Sequence, residues 1–136
     1  TSDPNELFVH FFEDGTEEPN SKSGKVVLPK GNSIVEFESI QTYNPPQFGA
    51  NVYLEVNYKC DVPITFGIFA NNPGQRIQAP VVVVKPTTEW KKIYINLVTE
   101  VSAYPNANSF QLFFGATNTD KNLRPQIFVD NLKLVF

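Results

Sequence analysis

The sequence predicts an all-β chain, an antiparallel β-sandwich of jelly-roll type with about nine strands and no significant helix. Three observations carry that expectation. Short segments rich in β-branched and aromatic residues follow one another closely, clusters of Pro, Gly, Asn and Asp separate them, and no stretch has the apolar period of an amphipathic helix. The residue counts agree, since 12 Phe, 5 Tyr and 11 Pro among 136 residues suit strands and turns better than helices.

In chain order, the first expected strand is "ELFVHFF" (6–12), an apolar and aromatic run closed by the turn chemistry of "EDGTEEPN". "KVVL" (25–28) and "SIVEFESI" (33–40) stand on either side of "PKGN", whose Pro and Gly interrupt pairing. "ANVYLEVNYKC" (50–60) follows the loop "YNPPQFG" and sets Val52, Leu54, Val56 and Cys60 against Asn51, Tyr53, Glu55, Asn57 and Lys59. "PITFGIFAN" (63–71) sets Ile64, Phe66, Ile68 and Ala70 against Thr65, Gly67, Phe69 and Asn71, and "NNPGQ" ends it. "APVVVVK" (79–85) is a continuous β-branched run. "WKKIYINLV" (90–98) sets Ile93, Ile95 and Leu97 against Lys92, Tyr94 and Asn96. "SFQLFFGAT" (109–117), after "YPNAN", sets Phe110, Leu112, Phe114 and Ala116 against Gln111, Phe113, Gly115 and Thr117. "QIFVDNLKLVF" (126–136), after "TNTDKN", closes the chain. The polar start, residues 1–5, reads as a disordered or linker N-terminus, and 6–136 as a single β-sandwich domain long enough to bury a core without staples.

The first-named set in each alternating strand is the expected core. The second sets carry the candidate binding residues. Four strands each put one ring, Tyr53, Phe69, Tyr94 or Phe113, on the non-core face, and Gly67 and Gly115 leave space beside them. If these strands share a sheet, the rings and their neighbours Glu55, Asn57, Asn96 and Gln111 form one shallow surface. Rings stack on the C–H faces of sugars, while amides and carboxylates offer hydroxyls both donors and acceptors. The alternative is that a crossing loop such as "YNPPQFG" covers the rings and they extend the core. A second place for a site is the loop edge with Tyr43, Phe48 and Tyr104, whereas Trp90, at the head of its strand, is read as a cap on the core.

Other functions are disfavoured by what the chain lacks. Its net charge is −3, with no Lys/Arg-rich stripe of the kind that tracks nucleic acid. No apolar run approaches the ~18 residues of a membrane-spanning helix. Cys60 has no second cysteine to pair with, and with one His the chain has no Cys/His zinc site. His10 is accompanied by no nucleophile motif, so it is read as structural. Glu36 and Glu38 lie two residues apart on one strand, side by side at about 7 Å, where a glycosidase needs carboxylates on opposite sides of a bond. They are read as solvated, and no enzymatic activity is expected. Methionine is absent and the chain opens on "TSDPNE", which suggests removal of a secretion leader; trimming of a longer chain is the alternative.

The run "ANVYLEVNYKCDVPITFGIF", then "TTEWKKIYINL", "FQLFFGA" and "IFVDNLKLV", resembles the jelly-roll modules of secreted lipoproteins and polysaccharide-degrading systems of Bacteroidetes. These are similar in architecture to galactose-binding-like carbohydrate-binding modules. The resemblance implies a secreted or cell-surface protein, periplasmic or on the outer membrane, touching the membrane only through a removed lipid anchor. It also implies a structural calcium ion held by the Asp of the closing strand, Asp130, with an acidic residue of "HFFEDGTE", Glu13 and less directly Asp14. Read with a period of two, Asp130 shares a face with Phe128, Leu132, Leu134 and Phe136. An ionised carboxylate among these needs a cation, a set of donors, or a bulge that turns it away. The role expected is that of a monomeric, non-catalytic module binding polysaccharide or oligosaccharide. The competing role is a protein-interaction or scaffold domain of a surface lipoprotein with no sugar affinity.

Overall fold

A computed structural model describes residues 10–13, 22–46 and 49–136, with side chains at 24–46 and 49–136. The expected linker at 1–5, Asp14, Phe48 and the side chains of His10 and Glu13 lie outside the described residues. Among the described residues the strands are β1 (His10–Glu13), β2 (Lys22–Val27), β3 (Ser33–Glu38), β4 (Tyr53–Cys60), β5 (Ile64–Asn72), β6 (Gln75–Val84), β7 (Thr87–Asn96), β8 (Ser109–Asn118) and β9 (Gln126–Val135), with one short helix, α1 (Val98–Ser102), after β7. They form a five-stranded sheet in the order β1-β2-β9-β4-β7 and a four-stranded sheet in the order β3-β8-β5-β6. Every pairing is antiparallel.

The nine expected strands are present with several boundaries shifted by two to four residues, and two of the shifts have clear local reasons. β6 starts at Gln75, because Asn72 pairs with Gln75 and only Pro73 and Gly74 make the turn. Gly74 has φ 73°, the left-handed value that a type II turn needs after its proline. β7 stops at Asn96, whose Oδ1 accepts the N–H of Val98 at 3.0 Å and turns the chain into the single turn of α1. The expected core sets do meet between the sheets. Val52, Leu54 and Val56 of the β4 segment and Ile64, Phe66, Ile68 and Ala70 of β5 have no exposed surface, and Phe110, Leu112, Phe114 and Ala116 of β8 are buried with them.

β9 is where simple alternation fails. Asn57 pairs with Asp130 but Glu55 pairs with Lys133, so Val56 faces two residues, Asn131 and Leu132. This is a β-bulge, and Asn131 takes the left-handed conformation (φ 54°) that the first residue of a glycine-type bulge requires. The extra residue reverses parity along the strand. Before it, Ile127 and Val129 face the core; after it, Leu132 and Leu134 do. Asp130 therefore does not share a face with Leu132 and Leu134, as continuous alternation would have it. It points outward beside Asn57, and its Oδ1 accepts the N–H of Asn131 at 2.9 Å.

Asn131→Gly should be neutral or slightly stabilising, because glycine adopts positive φ freely. Asn131→Val should destabilise by about 1–2 kcal/mol through left-handed strain, whereas deletion of Asn131 should leave a cooperatively folded protein, because regular alternation then sets Leu132 opposite Val56 and keeps Leu134 inward. Urea unfolding of the three variants checks the order; a Val variant as stable as the Gly variant would show that the bulge does not hold position 131 in this conformation.

Candidate functional site

The four rings do not make one surface. Tyr53 and Tyr94 stand on β4 and β7 of the five-stranded sheet, whereas Phe69 and Phe113 stand on β5 and β8 of the four-stranded sheet. Glu55, Asn57 and Asn96 accompany the tyrosines; Gln111 accompanies the phenylalanines. The two groups face away from each other on opposite sides of the sandwich. Parity is a property of each strand, but sheet membership depends on pairing, and β4 and β5 are consecutive yet lie in different sheets.

On the four-stranded sheet, Phe113 is in register with Gly67 and Glu38, and Gln111 with Phe69. The glycine space expected at Gly67 is filled. A Cβ there would come within 2.5 Å of the Phe113 ring and 2.4 Å of the Ala79 carbonyl, so the ring lies directly on the glycine backbone. Phe113 is 3% exposed and offers a ligand no open ring. Phe69 packs against it with centroids 5.2 Å apart, and the Arg76 guanidinium sits 3.6 Å from the Phe69 centroid. Above the rings is a polar network built from four strands. Arg76 donates to Glu38, to Oε1 of Gln111 at 3.1 Å and to Oδ1 of Asn71 at 3.3 Å. Asn71 Nδ2 donates to Ser109 Oγ at 3.0 Å and to Gln111 Oε1 at 3.2 Å, and Gln111 Nε2 donates to the Ser39 carbonyl at 2.7 Å. Gln78 Nε2 donates to Glu36 Oε1 at 2.9 Å. Beside this network is a depression of about 230 Å³ lined by Glu36, Thr65, Gln78, Phe113, Gly115 and Thr117 among others.

Glu36 and Glu38 are thus paired, not merely solvated. Arg76 and Gln78 precede residue 79, where the sequence pattern starts this strand, and so are absent from the sequence-derived site. The signal that places them is the two-residue Pro73–Gly74 turn, which carries the strand back to Gln75 and puts Arg76, Gln78 and Pro80 on one face.

On the five-stranded sheet, Tyr94 is 60% exposed, and half-buried Tyr53 lies in register with Asn96 on one side and Val135 on the other. Between them Glu55 is nearly covered. Lys92 Nζ reaches its Oε1 at 2.7 Å and Lys133 Nζ its Oε2 at 3.8 Å. The hydrogen bond from Lys92 holds the Glu55 carboxyl below its ordinary 4.5, and the same bond pushes the Lys92 ammonium above its ordinary range. Lys92 Nζ also lies 5.0 Å from the Tyr94 centroid. At the other end of this face Trp90 meets Phe128 edge-on, centroids 6.3 Å apart, with Lys59 Nζ 4.6 Å from the Phe128 ring and 5.4 Å from the Trp90 ring. Trp90 therefore packs on the outer face instead of capping the core. Of the loop-edge rings, Tyr43 and Tyr104 are half-buried against the core.

The calcium expectation meets one carboxylate among the described side chains. Asp130 stands on β9, and β2 separates that strand from Glu13 on β1. Among the described residues, no three Asp, Glu, His or Cys side chains gather in a metal-binding group. Calcium takes about six to eight oxygens, so a cage here depends on residues beyond those described.

Solved structures that superpose on this antiparallel sandwich include carbohydrate-binding modules. The family 30 carbohydrate-binding module of a cellulosomal cellulase of Clostridium thermocellum superposes with a TM-score of 0.67 over 93% of this chain and 81% of that one, at 16% identity. A variant of a family 29 module gives 0.55 over 93% and 74%, at 12% identity, and a family 4 module gives 0.51 over 83% and 82%, at 15% identity. At these identities the likeness is one of fold. No protein-family model matches the chain, and no curated protein matches it.

Because the folded Glu55 carboxyl titrates below its ordinary value, its ion pair stabilises the fold above about pH 4.5 and loses that effect as the pH falls through the lowered value. Glu55→Gln should therefore lower the melting temperature near neutral pH and show a smaller further fall on acidification to about pH 3 than the wild type. Parallel acid limbs in thermal melts of the two proteins would refute the assignment.

Proposed function

We propose that this chain is a non-catalytic carbohydrate-binding module of an exported, cell-surface protein, and that a glycan lies across the outer face of the four-stranded sheet. The observation that carries the reading is the network of Arg76, Glu38, Gln111, Asn71 and Ser109, with Gln78 and Glu36 alongside, over a shallow depression. Exposed ion pairs add little to stability, about 0–1 kcal/mol each, so holding this many polar side chains in one arrangement is poorly explained by folding alone. Sugar hydroxyls donate and accept, and a fixed mixture of guanidinium, amide and carboxylate groups meets both needs without reorganising on binding. Thr65, Gly115 and Thr117 keep the trough clear of bulk. Ring stacking is assigned to the opposite sheet, where Tyr94 offers the open ring and Tyr53, Glu55, Asn57 and Asn96 surround it; Phe69 and Phe113 support the polar face from below.

Ile34 and Val83, exposed at 66% and 63% on the margins of the four-stranded face, favour the competing reading of a protein-docking scaffold. Retardation in native gels containing a panel of soluble neutral polysaccharides separates the two. The module reading expects retardation by one glycan class and an affinity at least ten-fold weaker for Arg76→Ala, with the fold checked by circular dichroism. No retardation by any neutral or charged polysaccharide would sink it and leave the scaffold reading.

The structural calcium ion, with Asp130 and Glu13 as ligands, belongs to the same proposal. It expects a melting temperature higher in calcium than in chelator, with the difference lost in Asp130→Asn. Identical melts in both buffers would remove the metal from the account.

A further inference from the structure

We infer that the outer face of the five-stranded sheet is a contact surface for an acidic glycan chain, which rests on and deepens the glycan-binding reading. The first observation is charge segregation. The chain as a whole carries −3. Yet among the described side chains, strand register and parity put Lys25, Lys59, Lys92 and Lys133 on this face, against Glu55 and Asp130. Lys91 and Glu89, at the β7 edge, balance each other. On the opposite sheet the balance is reversed, with Arg76 against Glu36 and Glu38.

The second observation is where the charges stand. Glu55 is shared between two ammonium groups, and a single carboxylate cannot neutralise both. Lys133, at 3.8 Å and half exposed, is the looser partner and is free to swing to an incoming anion. One oxygen of Asp130 is already engaged by the Asn131 N–H. The exposed Tyr94 ring stands on the edge strand β7, at the end of the cross-strand row Tyr94–Glu55–Lys133, with the Lys92 ammonium 5.0 Å from its centroid. A pyranose resting its C–H face on Tyr94 would thus place an acidic substituent within reach of Lys92 or Lys133. Lysine ammonium is a point charge without the fork geometry of a guanidinium, so it accepts a carboxylate or a sulfate ester alike. The shared chemistry is an anionic saccharide.

The test is native-gel retardation in polygalacturonate (a polyuronate), dextran sulfate (a sulfated polymer) and uncharged dextran. The wild type is run beside Tyr94→Ala, Lys133→Gln, the Lys92→Gln/Lys133→Gln pair and, as a control away from this face, Lys121→Gln. Lys133→Gln alone keeps the test valid if removing Lys92 as well unfolds the protein by stranding Glu55. The expectation is binding to at least one polyanion that weakens with added salt, is several-fold weaker in Lys133→Gln, falls at least ten-fold in Tyr94→Ala, and is unchanged in Lys121→Gln. Loss confined to polygalacturonate assigns a uronate; loss confined to dextran sulfate assigns a sulfate ester. Polyanion binding that ignores Tyr94 is bare charge attraction and overturns the site. Retardation by neutral glycans with none by either polyanion overturns this inference while leaving the module reading intact, and no retardation by any glycan removes both.

Discussion

The left-handed residue at Asn131 is the constraint on which the faces of this sandwich depend. β9 lies between β2 and β4 in the five-stranded sheet and is in register with both. Its first half packs Ile127 and Val129 inward and its second half Leu132 and Leu134. Those two halves are compatible only if one residue is added without a partner, and in the bulge formed here that residue has positive φ. Asparagine tolerates this conformation better than any β-branched residue. The bulge also puts Asp130 and Lys133 on the outside, next to Asn57 and Glu55, and so supplies part of the charge pattern of that face. A strand that looked like a core segment with a misplaced acid is two segments of opposite parity.

A second contact organises the other sheet. With no side chain at Gly67, the Phe113 ring can lie on the backbone, and this level floor is what lets Phe69, Arg76 and the amides stand above it as a network. The same packing removes Phe113 from solvent. The two sheets therefore present different chemistry, one a fixed array of hydrogen-bonding groups over buried rings, the other an open tyrosine among lysines. The first suits hydroxyl-rich ligands through directional bonds; the second suits a ring contact reinforced by charge.

Beyond the sheets, a buried polar residue joins the loops at one end of the sandwich. Asn118 Nδ2 donates to the carbonyls of Pro29 at 2.8 Å and Leu123 at 3.0 Å, and its Oδ1 accepts the Asp120 N–H at 3.0 Å. It closes the β8–β9 connection onto the β2–β3 link, satisfying backbone groups that would otherwise be buried without partners. Residues 119–124, between β8 and β9, are held by such local bonds more than by apolar packing, since Leu123 itself is exposed.

Alternation by itself determined the class of fold, the nine strands and nearly all of the core, because in a strand the choice of inside or outside is local and repeats every two residues. Val52, Leu54 and Val56, or Ile64, Phe66 and Ile68, need no knowledge of partners to be read as interior. The candidate site was legible only in pieces for the same reason. Tyr53 and Phe69 were both correctly outward, but which sheet each joined is a matter of long-range pairing between segments distant in sequence. Arg76 and Gln78 join the face because a tight turn lengthens β6, and Phe113 offers no stacking ring because it lies on Gly67. For Asp130 the sequence leaves a cation, donors or a bulge open, and the pairing of β9 with β4 puts a bulge beside it that turns it outward. Local periodicity determines what faces in; only the assembled sheets decide what stands together on the outside.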